Sequence, residues 1–124
     1  MENQQITERT FQFALRIIKL CRALQKEYIG RTLSGQLLRA GTSVGANIEE
    51  SQAAQSTADF IAKMSIARKE SRETLFWLRL IRESKMVPAQ RLEKIILECD
   101  EITKIISSII INTRKNASKE NSPE

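Results

Sequence analysis

Apolar residues recur along most of the chain at steps of three and four, the period of a helix with one buried face. Thr7 predicts a cap for a first helix through Phe11, Ala14, Ile18 and Cys21, with Ile6 and Phe11 placed to staple its start. That helix should reach about residue 27. Gly30 predicts a stop, and Leu33, Leu37, Ala40, Val44 and Ile48 then mark a second helix over about 32–55. Ser56-Thr57-Ala58-Asp59 resembles a capping box that opens a third helix over about 57–85, through Phe60, Met64, Ala67, Ser71, Leu78 and Ile81. Pro88 predicts the start of a fourth, over about 88–113, where Leu92, Ile95, Ile96, Cys99, Ile102, Ile106 and Ile109 keep a bundle-like rhythm. Asn, Ser, Lys and Glu dominate from Asn112, and 116–124 reads as a disordered tail.

Four helices of roughly 20 to 28 residues, each about 30 to 40 Å long, joined by short connections must run antiparallel to their neighbours. The expected fold is therefore all-α, an up-down-up-down four-helix bundle over 1–115. With 124 residues there is room for one core, and 4 Gly and 2 Pro are too few turn formers for a barrel or sandwich of many strands. No internal period supports a helical repeat.

The first and third helices carry more apolar surface than one bundle core needs. Beside the stripe of Phe11, Ala14, Leu15, Ile18 and Cys21, the first helix bears Phe13, Ile17, Leu20 and Leu24 on a roughly opposite sector. The third adds Ile66, Phe76, Trp77 and Leu80 outside its main stripe. Scattered surface apolars are ordinary. A patch with several aromatics is instead the kind that marks an interface, so these eight residues are the expected contact between copies in a homo-oligomer.

The second helix spends three glycines, Gly35, Gly41 and Gly45, at about 1 kcal/mol each relative to Ala. Gly41 and Gly45 lie one turn apart, which fits either a close helix approach or merely tolerated glycines. Beside its apolar stripe runs a polar row of Gln36, Arg39, Ser43, Asn47 and Glu50. The expectation is a buried structural network that joins this row to Ser71, Arg72 or Glu73 on the third helix.

The run Gln36-Leu37-Leu38-Arg39-Ala40, then Ser43-Val44-Gly45-Ala46-Asn47-Ile48-Glu49-Glu50, then Asp59-Phe60 and Ile66-Ala67, resembles the signature of the bacterial four helix bundle protein family. That family includes the 23S rRNA intervening-sequence proteins, and the chain is also similar to the accessory variability determinant of diversity-generating retroelements. The resemblance implies an up-down bundle assembled as a ring-shaped homopentamer, with a positively charged surface that meets nucleic acid and with no enzymatic activity. Ser51 stands where Gly is usual, and Lys69-Glu70 precedes Ser71 where many members have a small residue. Both departures touch packing more than charge.

Charge sharpens the binding expectation. The chain has 20 Lys+Arg against 15 Asp+Glu, a net +5, and residues 1–48 alone hold seven basic and three acidic side chains. Arg9, Arg16, Lys19, Arg22 and Lys26 share a sector of the first helix, and no acidic residue occurs from Arg9 to Lys26. Arg68, Arg72 and Arg79 form a second line on the third helix. These eight residues are the candidate nucleic-acid contacts, for RNA or DNA, and the competing reading has them solvate the outer faces and pair with Glu98, Asp100 and Glu101. Phosphate contacts by Lys and Arg carry no sequence information, so binding should be backbone-directed, and one Trp and one Tyr leave little for base stacking. A scaffold that recruits a protein partner such as a reverse transcriptase is the alternative function.

Catalysis lacks its usual raw material. Glu50 and Glu73 could start a di-iron site, but such sites take Glu-x-x-His pairs and the chain has no His. The two carboxylates read better as acceptors for Ser, Asn and Arg donors. Cys21 and Cys99 fall on core stripes, where Cys behaves as a small hydrophobe. No catalytic residue, metal or cofactor is expected. The first residues show no basic region followed by an apolar stretch, and the longest uncharged windows, 40–48 and 105–113, are too short to span a bilayer, which predicts a cytoplasmic protein without membrane contact.

Overall fold

The chain breaks its helical run at three places, each with a local cause. In the computed structural model, which describes residues 2–120, the order is α1 (Glu2–Ala23), a single 3-10 turn (Leu24–Lys26), α2 (Tyr28–Gln52), α3 (Thr57–Ser84) and α4 (Ala89–Glu120). Among the described residues there is no strand.

At the first break Glu27 is extended, with φ −132° and ψ 160°, and its carbonyl accepts the Arg31 N–H at 3.0 Å to begin α2. Gly30 is therefore inside α2 and not a stop. Its role is a close approach, because a Cβ there would sit 2.3 Å from the Leu24 carbonyl oxygen of the preceding turn. At the second break the Asp59 N–H donates to Ser56 Oγ at 3.0 Å, and Asp59 Oδ2 accepts the N–H of Gln55 at 3.3 Å. The capping box thus reaches back one residue further than its sequence pattern implies. At the third, Lys85 takes the left-handed conformation, φ 61°, and ends α3. Pro88 then precedes α4, its carbonyl accepting the Arg91 N–H at 3.0 Å.

Besides α2, which runs from Tyr28 to Gln52 and not over 32–55, the outer ends of α1 and α4 differ from expectation. α1 starts at Glu2, so Thr7 lies within the helix and not at its start; no Gly or Pro interrupts 2–7. α4 continues through 116–120, where the tail was expected, because Ala, Lys and Glu among the polar residues sustain a helix. The rest of that tail, 121–124, lies outside the described residues.

α1 packs on α2 and α4, α2 on α3, and α3 on α4, which closes a four-helix bundle in chain order. Neighbours are antiparallel: Cys21 meets Ser34 while Thr10 meets Gly45, and Arg39 faces Glu70 and Glu73. The core holds Leu37, Val44 and Ile48 of α2, Met64, Leu78 and Ile81 of α3, and Leu92, Cys99, Ile102 and Ile106 of α4.

The largest correction is the rotation of α1. Phe13 and Ile17 are 1% and 0% exposed and fill the core with Ile6, Leu20, Cys21 and Leu24, whereas Phe11 and Leu15 are 55% and 47% exposed. Phe13, Ile17, Leu20 and Leu24 are thus not an interface between copies. The stripe they form is completed by Thr10, fully buried, whose hydroxyl donates to the Ile6 carbonyl at 2.9 Å and so costs the core little. The glycines of α2 select this side: a Cβ at Gly41 would lie 2.9 Å from Ile17, and one at Gly45 3.2 Å from the Thr10 carbonyl oxygen. Close approach, not tolerance, explains both.

Candidate nucleic-acid interface

Five cations were expected together on α1, and the structure separates one from the rest. Arg9 grips Glu98 of α4 with both Nε, at 3.1 Å, and Nη2, and also reaches Glu101 at 2.7 Å. Hydrogen bonds to Glu98 first, then Glu101, raise the guanidinium pKa further, so Arg9 is a neutralised bridge between helices. Arg16, Lys19, Arg22 and Lys26 are exposed, and none makes an ion pair or side-chain hydrogen bond among the described residues. The same holds for Arg72 and Arg79, exposed on α3, and for half-buried Arg68. Pairing with α4 therefore accounts for Arg9 alone; Asp100 is taken by Lys104 of its own helix at 3.0 Å.

α1 and α4 are the most sparsely joined neighbours in the bundle, and two open pockets that share Arg16 form a cleft along their seam. Its first half, a cavity of about 420 Å³, is lined by Gln5, Glu8, Arg9, Gln12, Phe13, Arg16 and Glu98. Its second, of about 260 Å³, is lined by Arg16, Lys19, Leu20, Arg91 and Ile95. Arg91 is exposed, in the first turn of α4, and did not stand out in the sequence. The signal was there in the antiparallel register. Seven residues along α1 from Arg9 is Arg16, and seven back along α4 from Glu98 is Arg91, an equal step of about 10 Å on each helix.

The polar row of α2 is a surface feature more than a buried network. Among the described residues Arg39 carries the row's links to α3, to Glu70 at 3.2 Å and to Glu73, and Glu73 also accepts the Trp77 Nε1–H at 3.2 Å. Ser43 donates to the Arg39 carbonyl at 2.6 Å, and Asn47 to the Ser43 carbonyl at 2.9 Å, both within α2. Gln36 and Glu50 are exposed with no side-chain partner among the described residues. Ser71 faces α4 instead, sharing a hydrogen bond with Thr103 at 2.7 Å while its carbonyl accepts the Cys99 thiol at 3.2 Å. The row runs beside the apolar stripe at the edge of the core, where short side chains such as Ser43 and Asn47 bond back along their own helix.

Of the four α3 residues expected in a contact between copies, three are exposed and Trp77 packs against the core. Ile66, Phe76 and Leu80 are 43%, 51% and 41% exposed, and Trp77 is half-buried with its ring edge-on to Phe76 at 5.1 Å. No helix of the described residues is long and apolar enough to cross a membrane. Burial pushes the thiols of Cys21 and Cys99 up to about 11 and about 12, which leaves neither a ready nucleophile.

Comparison with known proteins agrees with this architecture. The chain is similar over 89% of its length, at 42% identity and a TM-score of 0.82, to 98% of a crystallised protein of unknown function from the S23 ribosomal protein family of Bacteroides thetaiotaomicron VPI-5482. None of the curated proteins compared with it matches. The family model described as 23S rRNA-intervening sequence protein matches residues 2–108, and the chain belongs to that family.

Proposed function

We propose that this chain is a non-enzymatic, homo-oligomeric protein of the cytoplasm that binds nucleic acid through a basic surface, by contacts with the phosphate backbone. The observation that carries this reading is the outer face of α1: Arg16, Lys19, Arg22 and Lys26 are exposed and unpaired among the described residues, in a stretch with no acidic side chain. Exposed, hydrated cations without a carboxylate partner cost the free protein little and gain most beside a polyanion. Arg72 and Arg79 extend the surface on α3. The family's description, which links it to sequences that intervene in 23S rRNA, supports nucleic acid as the partner and RNA as a natural candidate.

Assembly rests on Ile66, Phe76 and Leu80, an exposed apolar strip of α3 that a second copy would cover, and a ring of five is the arrangement the resemblance implies. A ring repeats the α1 face around the assembly and multiplies weak phosphate contacts.

A fluorescence-anisotropy titration with unrelated single-stranded and duplex RNA and DNA tests the binding. Comparable affinities across sequences are expected at low salt. Absence of binding there would remove this reading in favour of a scaffold that recruits a protein partner.

A further inference from the structure

We infer that the second half of the α1/α4 cleft is a phosphate-binding seat made by Arg16 and Lys19 of α1 together with Arg91 of α4, and that the Arg9–Glu98–Glu101 cluster closes one end of the path a bound strand can follow. This deepens the nucleic-acid reading and rests on it for the identity of the strand.

The register of the two helices sets the site. Where Arg9 stands across from Glu98, the cleft is neutralised by two carboxylates. One heptad on, the same geometry sets Arg16 across from Arg91, and a third cation, Lys19, lines the same cavity. No carboxylate lines this half, and none of the three cations has an ion pair or side-chain hydrogen bond among the described residues. Three like charges around one cavity repel one another and lack a counter-charge. The floor is apolar, Leu20 and Ile95 being 6% and 3% exposed, so an anion seated there would be partly shielded from water and held more strongly than on open surface.

The donor set selects phosphate. Two guanidinium groups can each present paired N–H donors to tetrahedral phosphate oxygens, and the Lys ammonium supplies a point charge. Arg91 also stands in the first turn of α4, where the helix dipole adds positive potential. A phosphodiester and a free polyphosphate offer the same oxygens. Toward Gln5 the adjoining pocket is lined by Glu8, Arg9 and Glu98, with Glu101 also on Arg9, whereas beyond Lys19 the exposed charges of α1 are Arg22 and Lys26 on its outer face. The path therefore runs from Arg91 over Lys19 to Lys26, and Arg9 is outside it.

The test compares Arg16→Gln, Lys19→Gln and Arg91→Gln with Lys69→Gln, which removes one exposed charge from α3, in the full chain. Circular dichroism first establishes that helicity is kept. Each cleft variant should lower affinity for a short single-stranded RNA about tenfold, the loss of one charge-assisted contact, with Lys69→Gln within about twofold. Arg91→Gln binding like the wild type while Arg16→Gln weakens would overturn the seat and leave the α1 surface standing. Equal losses in Arg91→Gln and Lys69→Gln would overturn it as diffuse electrostatics. If the wild type binds no RNA or DNA, the nucleic-acid reading fails on its own account. Tripolyphosphate then decides the seat: joint NMR shifts at Arg16, Lys19 and Arg91 that vanish in Arg91→Gln support it as a free-polyphosphate site, and unmoved signals overturn it.

Discussion

Ile17 rests on the bare backbone of Gly41: a Cβ at position 41 would lie 2.9 Å from both of its γ carbons. Those atoms belong to a β-branched side chain that is 0% exposed and has few rotamers to escape into. Gly41→Ala should therefore destabilise the protein by about 1 to 3 kcal/mol, overpacking outweighing the gain of about 1 kcal/mol in helix propensity. At Gly35 a Cβ meets nothing within 4 Å, so Gly35→Ala should gain about that propensity. Parallel urea melts check the pair. Equal midpoints for Gly41→Ala and wild type would mean that α1 and α2 do not approach this closely.

The same packing separates the core from the proposed contact surface of α3. Ile17→Lys buries a charge in the bundle and should abolish the helical circular dichroism signal or leave a protein that melts far below wild type. Phe76→Lys places its charge on a residue that is 51% exposed, so the subunit should keep its helicity while light scattering reports a smaller assembly. An unchanged mass in Phe76→Lys would move the contact between copies off this strip of α3.

Much of the architecture was legible because its signals are local. Ser56 with Asp59 and Pro88 each act within one turn, and the repeat from Leu92 to Ile109 runs at steps of three and four, so that the starts of α3 and α4 are placed to within a residue or two. The rotation of α1 was not legible in α1 itself. Its two apolar stripes are similar in size, and the one that is buried contains Thr10, which looks polar until its hydroxyl is seen bonded to Ile6 of its own helix. The information that decides between them sits in Gly41 and Gly45, about 25 to 35 residues away in the chain and on another helix. The candidate site divides the same way. The run of cations on α1 is plain in the sequence, but the neutralisation of Arg9 by Glu98 and the placing of Arg91 depend on which helix α1 faces.

The buried thiols give a pH-dependent expectation. Desolvation raises Cys21 to about 11 and Cys99 to about 12 from the usual 9, with Asp100 and Glu98 adding to the effect at Cys99. Below pH 9 both states hold these protons and the thiols add no pH dependence. Above it the unfolded chain releases them while the native state keeps them, so this contribution falls from about pH 9 to about pH 12. Ellman's reagent at pH 8 should label neither thiol rapidly in the native protein and both in denaturant. Rapid native labelling would contradict the burial of these residues.

Phosphate binding by the outer cations of α1 is the activity proposed for this chain. Its most direct measurement is the slope of log K against log salt for a labelled RNA duplex, for wild type and for Arg16→Gln/Lys19→Gln/Arg22→Gln. Each neutralised phosphate releases condensed counterion, so the wild-type slope should be steeply negative and the triple variant's shallower by about 3 units if each cation meets one phosphate, at unchanged helicity and assembly mass. Wild type and variant with the same affinity and the same slope would mean that these cations meet no phosphate.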